Sequence, residues 1–173
     1  EERAAALAVD LPAQIANAQS NAPALAVRLA GVVSADVVDR AALAGLPVLR
    51  QPDLGEAQAA EPPVGGYDTG QGMSHVFQSP GPIYGPGGSG PDWFRLGRFL
   101  HAAGIGKGDV VQNCFSYHLT PAGMMFESGA KAVGAVSFPA GTGQTELQAQ
   151  AAAQLAVTAY AGTPDYLKII LDK

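Results

Sequence analysis

The second half of the sequence alternates short apolar runs with helix-forming segments, and this alternation constrains the fold more than any other feature. Three runs are rich in β-branched and aromatic residues: DVVQNCFSYHL, AVSFPAG and VTAYAG. The segments TPAGMMFESGAKAVG and GQTELQAQAAAQLA separate them. An order of strand, helix, strand, helix and strand predicts parallel strands joined by crossover helices. The predicted fold class is therefore α/β, with parallel βαβ units forming part of a doubly wound sheet.

Two of the predicted strands are followed directly by a Thr-Pro pair that opens a helix, at Thr120-Pro121 and at Thr163-Pro164. Proline is favoured in the first turn of a helix, and a preceding threonine is expected to cap it. Turns that follow parallel strands share one edge of the sheet, where open α/β sheets bind ligands. The sequence therefore predicts a ligand-binding edge after these strands.

The first half predicts a helical N-terminal region over residues 1–54. Its alanine-rich segments ERAAALAV and AQIANAQS are expected to form two helices that separate near Asp10 and Pro12, and a further helix is expected to start at Ser34. Residues 55–90 are predicted to form a loop-rich connector, with a short strand at HVFQS. Residues 91–173 are the predicted βαβαβ portion, which opens with a helix over residues 91–104 carrying a core stripe of Trp93, Leu96, Leu100 and Ala103.

Charge and composition exclude several kinds of partner. The chain has 173 residues, a net charge of −5 and only 10 lysines and arginines, with no basic run, which argues against nucleic acid. No apolar run is long enough to cross a membrane. Cys114 is the single cysteine and is expected to be a small buried residue, which favours a reducing, cytoplasmic location.

The chain starts with Glu1 rather than Met and stops soon after a helix signal, which suggests a piece of a longer protein. A part of a doubly wound sheet would leave an edge strand and apolar surface uncovered, so the chain could form a homo-oligomer. His75 and His101 have no partners at metal-ligand spacing, and no metal site is predicted.

The stretch SPGPIYGPGGSG contains Gly85, Gly87 and Gly90 in the spacing G-x-G-x-x-G. A dinucleotide site would need this motif in a strand-to-helix turn, followed by an acidic residue at the end of the next strand. Asp109, the nearest candidate for this acidic residue, begins that strand instead. Pro86 also removes a backbone donor. A nicotinamide-dependent oxidoreductase is therefore disfavoured.

The order of motifs along the whole chain resembles the N-terminal part of the AMP-forming adenylating enzymes, most of all the phenylacetate-CoA ligase group. The segment IANAQSNAPALAVRLAGV resembles that group's helix pair around N-x-P, and LAGLPVLRQPDL resembles its L-x-x-LP-(apolar)-(polar)-(polar)-x-DL segment. Further positions fall on its later pattern: Gly108, Asp109, Val111, Asn113, Phe115, Tyr117, Gly123, Gly162, Thr163 and Pro164.

The resemblance implies two sets of binding residues. In that group a loop of Ser, Thr and Gly that ends in Lys-Pro holds the ATP phosphates, and the corresponding candidates here are Ser79, Gly81 and Gly85. The threonines and the lysine are missing, and Pro80, Pro82 and Pro86 stand in their place. For the acid substrate the resemblance implies Tyr117 and Gly123, and we add His118 because it ends a predicted strand; a purely structural role for Tyr117 and His118 stays open.

The resemblance implies that the parent protein activates a carboxylic acid, expected to be aromatic and phenylacetate-like, with ATP and Mg²⁺, and transfers the acyl group to coenzyme A. The family's remaining working parts are expected beyond this chain, so it is predicted to carry no catalytic residue and to be inactive alone. The alternative is a non-catalytic α/β binding or scaffold module with a decayed nucleotide loop.

Overall fold

The computed structural model describes residues 2–69 and 72–173, and the chain divides into two compact units between Pro86 and Gly87. Residues 1, 70 and 71, which fall within the predicted helical region and the predicted connector, lie outside the described residues. The elements of the first unit are helices α1 (Glu2–Asn21), α2 (Pro23–Arg28), α3 (Arg40–Ala44) and α4 (Gln51–Ala60) and strands β1 (Met73–Ser79) and β2 (Ile83–Gly88), the last of which crosses the boundary.

Helix α1 is continuous across the position where the sequence predicts a break. Pro12 lies inside the helix. The helix is held by tertiary packing, because Ile15 and Ala18 are buried with Leu29 and Val37 in one apolar cluster. Packing of an apolar face contributes more to helix stability than local propensity does. The predicted separation at Asp10 and Pro12 is therefore wrong.

The start of helix α3 also differs from the prediction. Ser34 opens only a 3₁₀ turn over Ser34–Asp36, and α3 begins at Arg40. The cap is Asp39, whose carboxylate accepts a hydrogen bond from the Ala42 N–H at 2.8 Å. An aspartate cap satisfies a backbone donor that would otherwise lack an intrahelical partner.

Helix α4 crosses the predicted boundary after residue 54, and its residues 55–60 lie where the sequence predicts a loop-rich connector. Pro52 is in its first turn, where the missing N–H costs nothing. Asp53 forms an ion pair with Arg28 of α2 at 2.8 Å, and this guanidinium holds the pKa of the Asp53 carboxyl below its usual value. The helix is fixed by contacts remote in sequence, since its own residues show no apolar stripe.

The second unit contains a three-stranded parallel sheet in the order β4-β3-β5. This confirms the predicted α/β fold class. Val111 of β3 lies opposite Ser137 of β4 and Ala159 of β5. The elements of this unit are α5 (Gly97–Ala102), β3 (Val110–Asn113), α6 (Ala122–Ala132), β4 (Val136–Phe138), α7 (Thr145–Gln154), β5 (Ala159–Ala161) and α8 (Pro164–Leu171).

Helices cover both faces of this sheet. Val111 packs in the apolar cluster that contains Ala130 of α6. The adjacent residue, Gln112, forms a hydrogen bond to Gln148 of α7. Because successive strand residues point to opposite faces, α6 and α7 lie on opposite sides of the sheet.

Helix α5 is shorter than the sequence predicts. Asp92 and Arg95 have φ angles of 50° and 58°, which a helix does not allow, and the helix starts at Gly97. Trp93 is 41% exposed and its ring lies against Gly88. Of the predicted core stripe, Leu100 is the member that is fully buried.

Glycines allow α5 and α6 to pack closely. A Cβ atom at Gly129 of α6 would lie 2.9 Å from the Leu96 Cβ and 3.3 Å from the Gly97 backbone nitrogen. A Cβ at Gly97 would lie 3.3 Å from that of Ala132. This contact places α6 over the strands that lead to the site described next. In the part of the chain that the structure describes, no helix has the length and apolar character to cross a membrane.

Candidate functional site

The candidate site lies at the carboxyl edge of the parallel sheet, where the chain leaves β3, β4 and β5. The Gly141 N–H, after β4, donates to the carbonyl of Asn113 at 2.9 Å. The Cys114 N–H, after β3, donates to the carbonyl of Ala161 at 2.7 Å. The three segments that follow the strands are therefore joined at one edge, where open α/β sheets bind ligands.

Asn113 ends strand β3, and its side chain organises the segment that follows. Its side chain is fully buried. The amide Nδ2 donates to the Gly123 carbonyl at 2.7 Å and to the Tyr117 hydroxyl at 2.8 Å. The Oδ1 atom accepts from the Phe115 N–H at 3.2 Å. These bonds turn the chain out of the sheet, so the predicted strand over residues 109–119 is wrong beyond Asn113.

Tyr117 and Gly123 lie in direct contact. A Cβ at Gly123 would be 2.7 Å from the Tyr117 Cδ2 and 2.8 Å from the Ser116 carbonyl oxygen, so only glycine leaves room for the ring. The predicted Thr120 cap is wrong, because the cap residue of α6 is Pro121 and no side chain caps the helix. His118 is exposed and precedes Leu119, which has a φ of 61°. The structure thus brings together two of the three predicted acid-binding residues.

The hydroxyl groups of Tyr117 and Tyr160 are harder to ionise than that of an ordinary tyrosine. Burial raises the pKa of Tyr117 to about 12, and the neighbouring Glu127 carboxylate adds to the effect. Burial, together with the nearby Cys114 thiol, raises the pKa of Tyr160 to about 12. Each group disfavours the phenolate in its folded environment.

Alkaline titration followed by ultraviolet difference spectroscopy is expected to show two of the five tyrosines ionising near pH 12. Tyr117→Phe and Tyr160→Phe should each remove half of that late phase. Because the folded-state pKa exceeds the unfolded value of about 10, the stability from each group is present below pH 10 and is lost as the pH rises toward 12. A late phase that survives both substitutions together would contradict this assignment.

Gln148 of α7 ties the segment after β4 to the sheet. This carboxamide is 4% exposed. Its Nε2 lies 2.8 Å from the Gly143 carbonyl, 3.1 Å from that of Gly141 and 3.1 Å from the Tyr166 hydroxyl. Its Oε1 accepts from the Gln112 amide at 3.0 Å. One buried side chain therefore fixes a glycine-rich loop, β3 and α8 relative to one another.

A cavity of about 230 Å³ opens beside this loop. Its lining has no charged side chain; the polar groups are those of Thr142, Gln144 and Gln148. The lining residues are Phe138, Pro139, Ala140, Thr142, Gln144, Leu147, Gln148 and Ala151. The cavity suits a small uncharged or apolar group.

Cys114 lies in the same region but is not placed for reaction. It is 4% exposed, its thiol donates to the Gln148 Oε1 at 3.1 Å, and burial raises its pKa. A thiol whose pKa is raised is a poor nucleophile at neutral pH. The expectation that Cys114 is a small buried residue is confirmed.

The predicted nucleotide residues Ser79, Gly81 and Gly85 lie in the first unit, on the hairpin of β1 and β2. Ser79 ends β1 and is exposed, and Gly81 has a φ of 138° in the turn. Gly85 lies in β2, within a stretch predicted as a loop. Because Pro80 and Pro82 flank it, Gly81 supplies the only backbone N–H of the turn.

The dinucleotide interpretation fails on the same geometry. Gly85 and Gly87 lie in strand β2 rather than in a strand-to-helix turn. Asp109 lies at the amino edge of the sheet, where its carboxylate accepts from the Gly106 N–H and the Thr158 hydroxyl, each at 2.8 Å. The Gly106 bond, followed by that of Thr158, lowers the pKa of Asp109. This carboxylate is therefore engaged at the edge opposite to the candidate site.

Three buried amides were missed by sequence reasoning as organising residues: Asn113, Gln148 and Gln58. Gln58 of α4 pairs with both the N–H and the carbonyl of Tyr84 in β2, which anchors the hairpin. The signal for Asn113 was present, because Gln112 and Asn113 are amides inside an apolar strand. Among the residues described, no three His, Cys, Asp or Glu side chains are grouped to hold a metal ion, and the absence of a metal site stays a prediction.

Comparison with solved structures identifies the class of fold as that of the adenylate-forming ligases. A structure of 2-hydroxyisobutyryl-CoA ligase in the postadenylation state with 2-HIB-AMP matches with a TM-score of 0.86 and 25% identity, over 99% of this chain and 38% of that one. An open conformation of that ligase with 2-HIB-AMP and CoA matches with a TM-score of 0.86 and 25% identity, over 99% and 40% of the two chains.

A third structure of the same ligase, in the thioesterification state with 2-HIB-AMP and CoA, gives a TM-score of 0.85 and 25% identity over 99% and 39% of the two chains. This chain thus spans about two fifths of the length of the ligase structures that it matches. No family model matches the sequence, and a search of the curated proteins finds no match.

Proposed function

We propose that this chain forms the N-terminal part of an adenylate-forming acid–CoA ligase. The observation that carries the proposal is the match over 99% of the chain, with a TM-score of 0.86, to an acyl-CoA ligase bound to its acyl adenylate. The carboxylate of the acid attacks the α-phosphorus of ATP and releases pyrophosphate. The thiol of CoA then attacks the acyl carbon of the adenylate, and AMP leaves.

The acid subsite is proposed at the carboxyl edge of the sheet. Tyr117, seated on Gly123, offers an aromatic ring there, and His118 is exposed beside it. We propose a carboxylic acid as the substrate class. The aromatic, phenylacetate-like acid expected from the resemblance is the finer proposal, because a tyrosine ring pairs favourably with another aromatic ring.

The nucleotide contact is proposed at the turn of the hairpin, on Ser79 and Gly81. A phosphate site usually combines several N–H groups, hydroxyls and a cation. This turn has one hydroxyl and one N–H, so it fits a phosphate only in part, and Gly85 offers no more than a strand backbone. Mg²⁺, when bound with ATP, would screen phosphate charge. A cytoplasmic location is part of the proposal, since Cys114 is the single cysteine.

The test is pyrophosphate release by the full-length parent protein with ATP, Mg²⁺ and a panel of aromatic and small hydroxy acids. Ser79→Ala is expected to raise the KM for ATP about tenfold, because a hydrogen bond to a charged group contributes about 1.5 kcal/mol. The KM for the acid should stay unchanged. Ser89→Ala, an exposed serine outside the turn, is the matched control.

Each outcome of this test has a definite meaning. Equal KM values for ATP in Ser79→Ala and Ser89→Ala would make the turn a connector rather than a phosphate site. No pyrophosphate with any acid would favour the alternative, a scaffold module with a decayed nucleotide loop. That alternative draws its support from the turn itself, which lacks a cation and has a single N–H.

A further inference from the structure

Asn113 is a polar side chain in an apolar position. It points to the same face of β3 as Val111, which packs against α6, and it is fully buried. A buried amide is unfavourable unless its hydrogen bonds are made. All three of its partners lie in one short segment, at Phe115, Tyr117 and Gly123. The amide therefore shapes the segment 115–123 rather than the sheet.

The bond to Tyr117 fixes what that residue can offer a ligand. The Tyr117 oxygen accepts from the Asn113 amide at 2.8 Å, and the carboxylate of Glu127 lies beside the same hydroxyl and attracts its proton. The ring meanwhile rests on Gly123, where no side chain could fit. With the hydroxyl engaged within the protein, the part of Tyr117 that is left for a ligand is the ring.

We infer that Asn113 is a positioning residue that holds the Tyr117 ring as an apolar wall of the acid subsite. Asn113 itself does not touch the acid; it acts through the Tyr117 hydroxyl. This inference rests on the proposed function and adds the means of substrate selection. The acid subsite selects the hydrocarbon part of the acid by contact with the Tyr117 ring and not by a hydrogen bond from the Tyr117 hydroxyl.

The test is a double-mutant cycle in the full-length parent protein, read as separate KM values for the acid, ATP and CoA. Asn113→Asp loses the amide that donates to Tyr117 and keeps the acceptor for the Phe115 N–H. Tyr117→Phe keeps the ring and loses the hydroxyl. We expect each single variant to raise the acid KM about fivefold, and the double variant to raise it no further, because residues in one hydrogen-bonded unit are not additive.

The KM values for ATP and CoA should change by less than about twofold in every variant. Gln112→Glu is the matched control, since it also converts a buried amide of β3 to a carboxylate but faces Gln148 instead of Tyr117. It is expected to lower the thermal stability without a selective change in the acid KM. If Asn113→Asp fails to fold, the acid KM of Tyr117→Phe alone still tests the inference.

The inference would be overturned by effects of the two substitutions that multiply in the double variant, by equal changes in the KM values for acid, ATP and CoA, or by the same selective change in Gln112→Glu. An unchanged acid KM in Tyr117→Phe would overturn it as well. A parent protein with no turnover at all would overturn the proposed function, and the inference with it. Turnover in which the KM values for the acid, ATP and CoA change together would overturn the inference but not the proposed function.

Discussion

Gly129→Leu is expected to unfold the second unit of this chain under conditions where the unaltered protein stays folded. Any Cβ at Gly129 would lie 2.9 Å from the Leu96 Cβ and 3.1 Å from the Leu100 Cδ1. The Leu96 Cβ is attached to the backbone and cannot rotate away. Leu100 is 2% exposed, so its side chain is enclosed by neighbouring residues. Overpacking of this kind costs about 3 kcal/mol, which is a large share of the stability of a small domain.

The measurement is urea unfolding of the chain, followed by far-ultraviolet circular dichroism. Gly55→Leu is the matched control, because Gly55 also lies in a helix but a Cβ there meets nothing within 4 Å. The control is expected to gain up to about 1 kcal/mol, since leucine is a better helix former than glycine. If the two variants unfold at the same urea concentration, then α5 and α6 are not in the close contact described.

Gln148→Leu is expected to be nearly as damaging, for a different reason. Leucine fills a similar volume but leaves the Gln112 amide and the Cys114 thiol without their acceptor, and the Gly141 carbonyl without this donor. The Gly143 carbonyl keeps its hydrogen bond from the Tyr166 hydroxyl. Gln112 is 3% exposed, and leaving a buried amide unsatisfied costs about 2 kcal/mol. The loop that borders the cavity should also lose its fixed position.

The same denaturation experiment measures the stability loss, and amide hydrogen exchange over residues 139–144 reports on the loop. Gln154→Leu is the matched control, because Gln154 is an exposed glutamine on the same helix. Its stability should change by less than about 0.5 kcal/mol. Equal protection of the loop in both variants would show that Gln148 does not hold it.

The parallel sheet could be predicted from the sequence because its signals are local. Apolar runs rich in β-branched residues mark the three strands, and the Thr-Pro pair at Thr163-Pro164 marks the start of α8. The close pairing of α5 and α6 through Gly97 and Gly129 leaves no such mark, since a helical glycine reads only as a weak helix former. The need for glycine at these two positions becomes clear only when the neighbouring helix is in place.

Helix α4 could not be predicted because its stabilising contacts are remote in sequence. Its segment, QPDLGEAQAA, has no apolar stripe, and it is held by an ion pair to Arg28 and by the hydrogen bonds of Gln58 to Tyr84. Continuity of α1 through Pro12 was missed for the same reason. In both places tertiary contacts outweigh the local preference of the chain.

The candidate site could be predicted in position but not in detail. Parallel strands put Tyr117 and Gly123 near the carboxyl edge, as the sequence indicates. The end of β3 at Asn113 was missed because the apolar and aromatic residues that follow continue the pattern of a strand. The hydrogen bonds of Gln148 to β3, to the loop after β4 and to α8 depend on the distances between these elements, which no sequence pattern predicts.

The pairing of Gln58 with Tyr84 has a consequence for how this protein behaves at high concentration. A strand with a bare outer edge can act as a template onto which another chain adds. The Gln58 carboxamide imitates a peptide group and occupies both the N–H and the carbonyl of Tyr84. At Tyr84 the backbone of β2 is therefore not available to an incoming strand, and we expect another chain not to pair with β2 at this residue.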